Sequence, residues 1–150
     1  MACGPKGMVE GQSRDLAAEG KKIKIKDLDE IHYLKTGKLI EACVESICIL
    51  KDGLTKKDVK AFLNFARKFG LAFQIKDDIL DVIGDEKKIG KPLNSDSEKN
   101  KATYPATIGL KASQERAEKL CFDALKILSK LPYNTKNLVK LSKFIILRDK

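Results

Sequence analysis

Between Thr55 and Ile83 the chain runs without a proline and is apolar on nearly every side, through Phe62, Phe65, Phe69, Leu71, Ala72, Phe73, Ile75, Ile79, Leu80, Val82 and Ile83. A helix of that kind cannot leave one face to water, so it belongs in the middle of a helical assembly. The flanking segments agree. Apolar residues recur three or four apart at Ala117, Leu120, Ala124, Leu128 and Leu131, in a helix starting at Leu110 that Pro132 is expected to end. Leu138, Leu141, Phe144 and Ile145 repeat the pattern. Upstream, Asp27 or Asp29 is placed to open a helix through Ile31, Leu34, Leu39, Ile40, Cys43 and Ile47 to about Leu50, closed by Asp52 and Gly53. No β-branched alternation bounded by hairpin turns occurs, so the predicted fold is an all-α helical bundle. The stretch from Gly84 through Ser97, rich in charge with Gly and Pro, reads as a loop.

Composition narrows the function classes. The 150 residues fit one domain, 1–150, and contain no run of the roughly 20 apolar residues that a membrane span needs. Lys6, Arg14, Glu10 and Asp15 interrupt any signal-peptide core, which predicts a cytoplasmic protein. The four cysteines, Cys3, Cys43, Cys48 and Cys121, include no C-x-x-C pair, and the single histidine, His32, completes no ordinary zinc framework. They are expected to be buried thiols. Lys and Arg outnumber Asp and Glu by 30 to 21, a formal charge of +9, but they are spread along the chain, and three Tyr, six Phe and no Trp leave little surface for stacking bases. Nucleic acid is therefore not expected as a partner; a smaller anionic ligand stays open.

The feature that carries chemistry lies inside the central helix. Gln74, Asp77, Asp78 and Asp81 stand at i, i+3, i+4 and i+7, a polar stripe on an apolar cylinder. A solvated acidic face or lysine pairing is the bland explanation. If the stripe points inward, its carboxylates need a cation, because unpaired buried charges cost several kcal/mol each. Mg²⁺ prefers carboxylate and water oxygens and is commonly shared with substrate phosphates. Gly70, one turn earlier on the same face, is expected to leave room for a ligand. Lysines should converge on such a site, and Lys35-Thr36-Gly37, Lys91 and Lys101 are the candidates. K-T-G also occurs in serine-dependent penicillin-binding enzymes, but the accompanying S-x-x-K and S-D-N are missing.

With these residues in view, the chain resembles the trans-prenyltransferases that make farnesyl and geranyl diphosphates, of the short-chain bacterial type. Five ordered blocks carry the likeness across essentially the whole chain: Gly7-Met8-Val9-Glu10-Gly11-Gln12 with Asp15-Leu16; Ile31-His32 with Lys35-Thr36-Gly37-Lys38-Leu39-Ile40; Gly70 through Asp81; Gly84-Asp85 with Gly90-Lys91; and Asn100-Lys101-Ala102-Thr103-Tyr104-Pro105. The resemblance implies the C-terminal half of the isoprenoid synthase fold, with Asp77-Asp78-x-x-Asp81 as the second of two aspartate-rich motifs. It further implies Mg²⁺-dependent condensation of isopentenyl diphosphate with an allylic diphosphate. On that mapping Asp77 ligates Mg²⁺, while Asp78 and Asp81 act directly or through water. Lys35, Lys91 and Lys101 contact the allylic diphosphate, Thr36 and Gln74 orient it, and Phe73 walls the isopentenyl site. A homodimer is implied for the full-length form.

Two departures accompany the resemblance. The first aspartate-rich motif has no counterpart, since Asp77-Asp78 is the only adjacent Asp pair, and the chain reads as N-terminally truncated and inactive by itself. Glu10 stands where the family usually has a small residue and is expected to disturb close helix packing. The rival reading is a noncatalytic helical fragment that acts only by associating with another chain. His32 is expected to be structural, because the reaction implied needs no group titrating near neutrality.

Overall fold

The computed structural model describes residues 2–83 and 101–148, and every regular element among them is helical. In chain order these are α1 (Met8–Ala17), α2 (Ile25–His32), a single wide π-helical turn (Tyr33–Gly37), α3 (Lys38–Leu50), α4 (Lys56–Ile83), α5 (Tyr104–Ile108), α6 (Leu110–Leu128) and α7 (Lys136–Leu147). Lys91 and the whole of the expected loop, Gly84 to Ser97, lie outside the described residues, whereas Lys101 lies within them.

The long helix α4 sits where its apolar circumference requires. Its first half packs Phe65 against Ala124 and Leu128 of α6, and its second half packs Ile75 and Ile79 against Ala117 of α6, Leu28 of α2 and Tyr104 of α5. The two longest helices therefore lie antiparallel, with α3 and α7 also against α4. A reciprocal cap starts α4: Thr55 Oγ1 accepts from the Asp58 N–H at 3.2 Å, and Asp58 Oδ2 accepts from the Thr55 N–H at 3.2 Å. The Tyr133 hydroxyl donates to the same carboxylate oxygen at 2.9 Å. These bonds hold the Asp58 carboxyl below its usual range, those from Thr55 most of all. Gly53, with φ of 80°, makes the turn between α3 and α4 in a backbone region that L side chains resist.

The expected boundaries shift in two places. Lys24, not Asp27 or Asp29, precedes the first turn of α2. Asp29 instead receives Arg116 Nη2 at 2.6 Å and the Tyr104 hydroxyl, tying α2 to α5 and α6. α6 stops at Leu128, four residues short of Pro132, which occupies the following connection. Half of the cysteine expectation is overturned: Cys48 and Cys121 are buried, with thiols pushed up by burial, but Cys3 and Cys43 are exposed.

A buried carboxylate staples α3 to its neighbours. Glu41 accepts from the Tyr33 hydroxyl at 2.6 Å, from Arg67 Nε at 2.9 Å and from Arg67 Nη2 at 2.7 Å. Burial alone would raise the Glu41 pKa, but the bonds from Arg67 and Tyr33 outweigh it and leave it lowered; Tyr33, half-buried and facing this carboxylate, is pushed up to about 12. Glu41→Gln is expected to cost about 1–3 kcal/mol at neutral pH, because charge-assisted bonds become neutral ones and one acceptor becomes a donor. Because the folded carboxyl is depressed, its stabilisation is complete above the ordinary carboxylate range and is lost as pH falls through the lowered value. Urea unfolding of both proteins should therefore show a gap at pH 7 that narrows in acid; a gap independent of pH refutes the assignment.

Candidate functional site

The acidic stripe is divided by its surroundings. Gln74, Asp78 and Asp81 are buried, Asp81 almost completely at 2% exposure, whereas the Asp77 side chain stays 48% exposed. The inward set expected from sequence thus contains two of the three carboxylates, and Asp77 stands at its rim. This follows from helical geometry, since Asp77 is set about 100° around α4 from Asp78 and the neighbouring helices cover only Asp78's side.

Asp78 is already engaged. Its Oδ2 accepts the backbone N–H of Tyr104 at 2.9 Å, at the first residue of α5. The His32 ring stacks on the Tyr104 ring with centroids 5.4 Å apart, and His32 Nε2 lies 3.3 Å from the same Oδ2 without hydrogen-bond geometry. Tyr104 is fully buried; burial first, and then the hydroxyl bond to Asp29, push its pKa far up, so it remains a neutral donor. Asp78 therefore fastens the segment Lys101 to Tyr104 onto α4. His32 belongs to the same buried stack.

The K-T-G segment forms the wide turn between α2 and α3. A π turn carries an extra residue relative to an α turn, and such turns recur at functional sites. Two glycines from other helices press on it. A Cβ built on Gly11 of α1 would come within 2.3 Å of the Lys35 backbone nitrogen, and one built on Gly70 of α4 would come within 3.1 Å of the Gly37 Cα. Gly70 therefore admits the backbone of a neighbouring helix, which overturns the expectation that it leaves space for a ligand. The crossing sets Gly37 against the face of α4 that carries Gln74 one turn later. Glu10 does not disturb it: the side chain turns aside and pairs with Arg14 at 2.8 Å.

Lys35 Nζ is held by Asp15 Oδ2 at 2.8 Å, from a buried carboxylate on α1. Asp15 stands in the first block of the resemblance but was given no role there, although its place four residues after Gly11 on the same helical face was a usable signal. Phe73 is half-buried, and the Arg148 guanidinium lies over its ring at 4.3 Å. Thr36 and Lys101 are also half-buried. Among the described residues no three His, Cys, Asp or Glu side chains converge into a metal cage. The donor set still suits a hard divalent ion that keeps its waters and asks the protein for one or two carboxylates, with Asp77 open and Asp78 and Asp81 behind it. A hollow of about 700 Å³ near the start of α4, lined by Leu54, Lys60, Leu63 and Arg67 among others, has no carboxylate in its lining.

A model of the polyprenyl synthetase family matches residues 4–141. The chain belongs to this family. It is 45% identical over 115 residues to a farnesyl diphosphate synthase of Geobacillus stearothermophilus, covering 77% of this chain and 38% of that protein. It is 40% identical over 152 residues to the farnesyl diphosphate synthase of Escherichia coli K12, covering 99% of this chain and 51% of the relative. In three dimensions it matches a Helicobacter pylori geranyltransferase, crystallised with magnesium and isoprenyl diphosphate, with a TM-score of 0.79 at 30% identity, over 97% of this chain and 47% of that one. The chain thus spans about half the length, or less, of the relatives it matches. The all-α expectation and the resemblance to prenyltransferases both hold, and no described helix is long and apolar enough to cross a membrane.

Proposed function

We propose that this polypeptide supplies one wall of a short-chain isoprenyl diphosphate synthase, condensing isopentenyl diphosphate with an allylic diphosphate in isoprenoid biosynthesis. The observation that carries this reading is the division of the acidic stripe: a half-open Asp77 backed by buried Asp78 and Asp81, next to a lysine-bearing π turn gripped by two glycines. Asp77 would hold Mg²⁺, with Asp78 and Asp81 behind it; when bound, the ion neutralises charge on the departing diphosphate. Lys35, Lys91 and Lys101 would meet the remaining phosphate oxygens, with Thr36 and Gln74 orienting them. Asp15 keeps the Lys35 ammonium in place, and Phe73 contributes to an apolar wall that keeps water from the allylic cation. The synthase names of the relatives support the catalytic reading over a purely associative one. A cytoplasmic location and a homodimeric full-length enzyme complete it.

The test separates binding from turnover. The sequence holds one adjacent aspartate pair, whereas coupling requires charge around both ends of the allylic diphosphate, a second substrate site and closure against water. The purified 150-residue chain is therefore expected to bind pyrophosphate only when Mg²⁺ is present, and to form no longer prenyl product from labelled isopentenyl diphosphate and an allylic diphosphate. Metal-independent pyrophosphate affinity counts against the site; product above a no-protein control counts against the incomplete wall.

A further inference from the structure

Arg148 follows the last residue of α7, with its backbone extended (φ −62°, ψ 140°) and its N–H donating to the Phe144 carbonyl at 2.8 Å. A charged residue at such a place ordinarily reaches into water. This one turns inward until its side chain is only 9% exposed. The guanidinium lies over Phe73 with its carbon 4.3 Å from the ring centre, and Nη2 donates to the Phe73 carbonyl at 3.1 Å. The same nitrogen stops 3.6 Å from Asp77 Oδ1, and the buried Nε has no partner.

A guanidinium buried for structural reasons normally spends its five donors, usually in a two-pronged grip on a carboxylate at 2.7–2.9 Å. Arg148 instead spends one donor on a carbonyl of α4 and leaves the carboxylate at a distance beyond a good charge-assisted bond. Burial holds its pKa below the usual arginine range, with Asp77 pulling the other way. The cation is therefore held beside Asp77 but weakly, and Asp77 keeps its open side.

We propose that Arg148 is a tethered counter-ion: it neutralises Asp77 while no divalent cation is bound there, and it leaves Asp77, with the end of α7, when one binds. The proposal rests on the reading of Asp77 as a metal ligand. Two cations cannot share this carboxylate cheaply where one of them is desolvated, so binding of a divalent ion and docking of Arg148 compete. The occupant is set by charge alone, so any hard divalent ion should displace the guanidinium.

Mn²⁺ titrations followed by electron paramagnetic resonance on the 150-residue chain test this, using Arg148→Met, which keeps apolar cover on Phe73, and Arg148→Ala as a second variant. Both are expected to bind Mn²⁺ roughly three- to tenfold more tightly than the parent, as removal of a neighbouring like charge requires. In ¹⁵N spectra the Arg148 Nε–H, identified by its loss in the variants, should be protected without metal and become freely exchanging on adding Mg²⁺, but not in Asp77→Asn. Equal or weaker Mn²⁺ affinity in the Arg148 variants, with affinity still lost in Asp77→Asn, overturns the counter-ion and leaves Asp77 as a ligand. An unmoved Nε–H also overturns it. Absence of Mn²⁺ binding in every protein overturns the counter-ion and the ligand assignment together.

Discussion

Gly11→Ala is expected to destabilise the chain by more than about 3 kcal/mol, the upper end of what overpacking costs, because the added methyl would meet backbone and not a yielding side chain. The three nearest atoms are the Lys35 nitrogen at 2.3 Å, the Lys35 Cα at 2.6 Å and the Leu34 carbonyl carbon at 2.7 Å. Relief requires α1 to move away from the wide turn, which would also draw Asp15 from Lys35. Gly70→Ala supplies the graded comparison. Its contacts, 3.1 Å to the Gly37 Cα and 3.4 Å to the Ile40 side chain, can be eased by a small shift, at about 1–2 kcal/mol. Urea unfolding ranks the two. A Gly11→Ala protein within about 1 kcal/mol of the parent would show that the crossing is looser than its geometry.

Asp77→Asn is expected to abolish most of the Mg²⁺-dependent affinity for pyrophosphate, by at least about tenfold to a hundredfold, the range that even outer-sphere partners of a metal typically command. Stability should hardly change, because the side chain is half exposed and its pairing with Arg148 is long. Asp78→Asn should behave the opposite way. Its oxygen holds the Tyr104 N–H inside the fold, so loss of charge there weakens the anchor of α5 and costs about 1–3 kcal/mol whether or not metal is present. Calorimetry with and without Mg²⁺, beside thermal melting, reads both. The assignment of Asp77 falls if the Asn variant keeps its metal-dependent pyrophosphate affinity.

What could be read in the sequence was whatever repeats. The apolar circumference of α4 and the stripes of α6 and α7 announce helices because burial demands a periodic pattern, and Asp52-Gly53 marks a turn because only glycine accepts its backbone freely. Two short helices were less visible. α1 carries more polar than apolar residues, and α5 is a five-residue element defined by Thr103 capping the Ala106 N–H and by Pro105 in its first turn. The π turn was illegible, since local sequence does not encode an extra residue in a turn; pressure from Gly11 and Gly70 does. In the site, spacing identified the stripe but could not divide it. Whether Asp77 or Asp78 faces outward depends on which side of α4 meets Tyr104 and His32, a tertiary fact. Arg148 was misread, because the charged run Arg148-Asp149-Lys150 suggests exposure, whereas its side chain is only 9% exposed.

The meeting of α1, the wide turn and α4 also bears on how sequences of this type can be edited. Gly11, Gly37 and Gly70 come from three separate stretches, and a methyl on Gly37 would itself come within 3.0 Å of the Tyr33 ring. A larger residue at Gly11 or Gly70 needs the backbone of the wide turn to retreat, whereas one at Gly37 needs the Tyr33 ring to move. All three constraints meet in one short turn. A library that randomises the K-T-G turn while keeping α1 and α4 fixed will recover mostly small residues at position 37, and grafting the turn into another scaffold will succeed only if both flanking glycines travel with it.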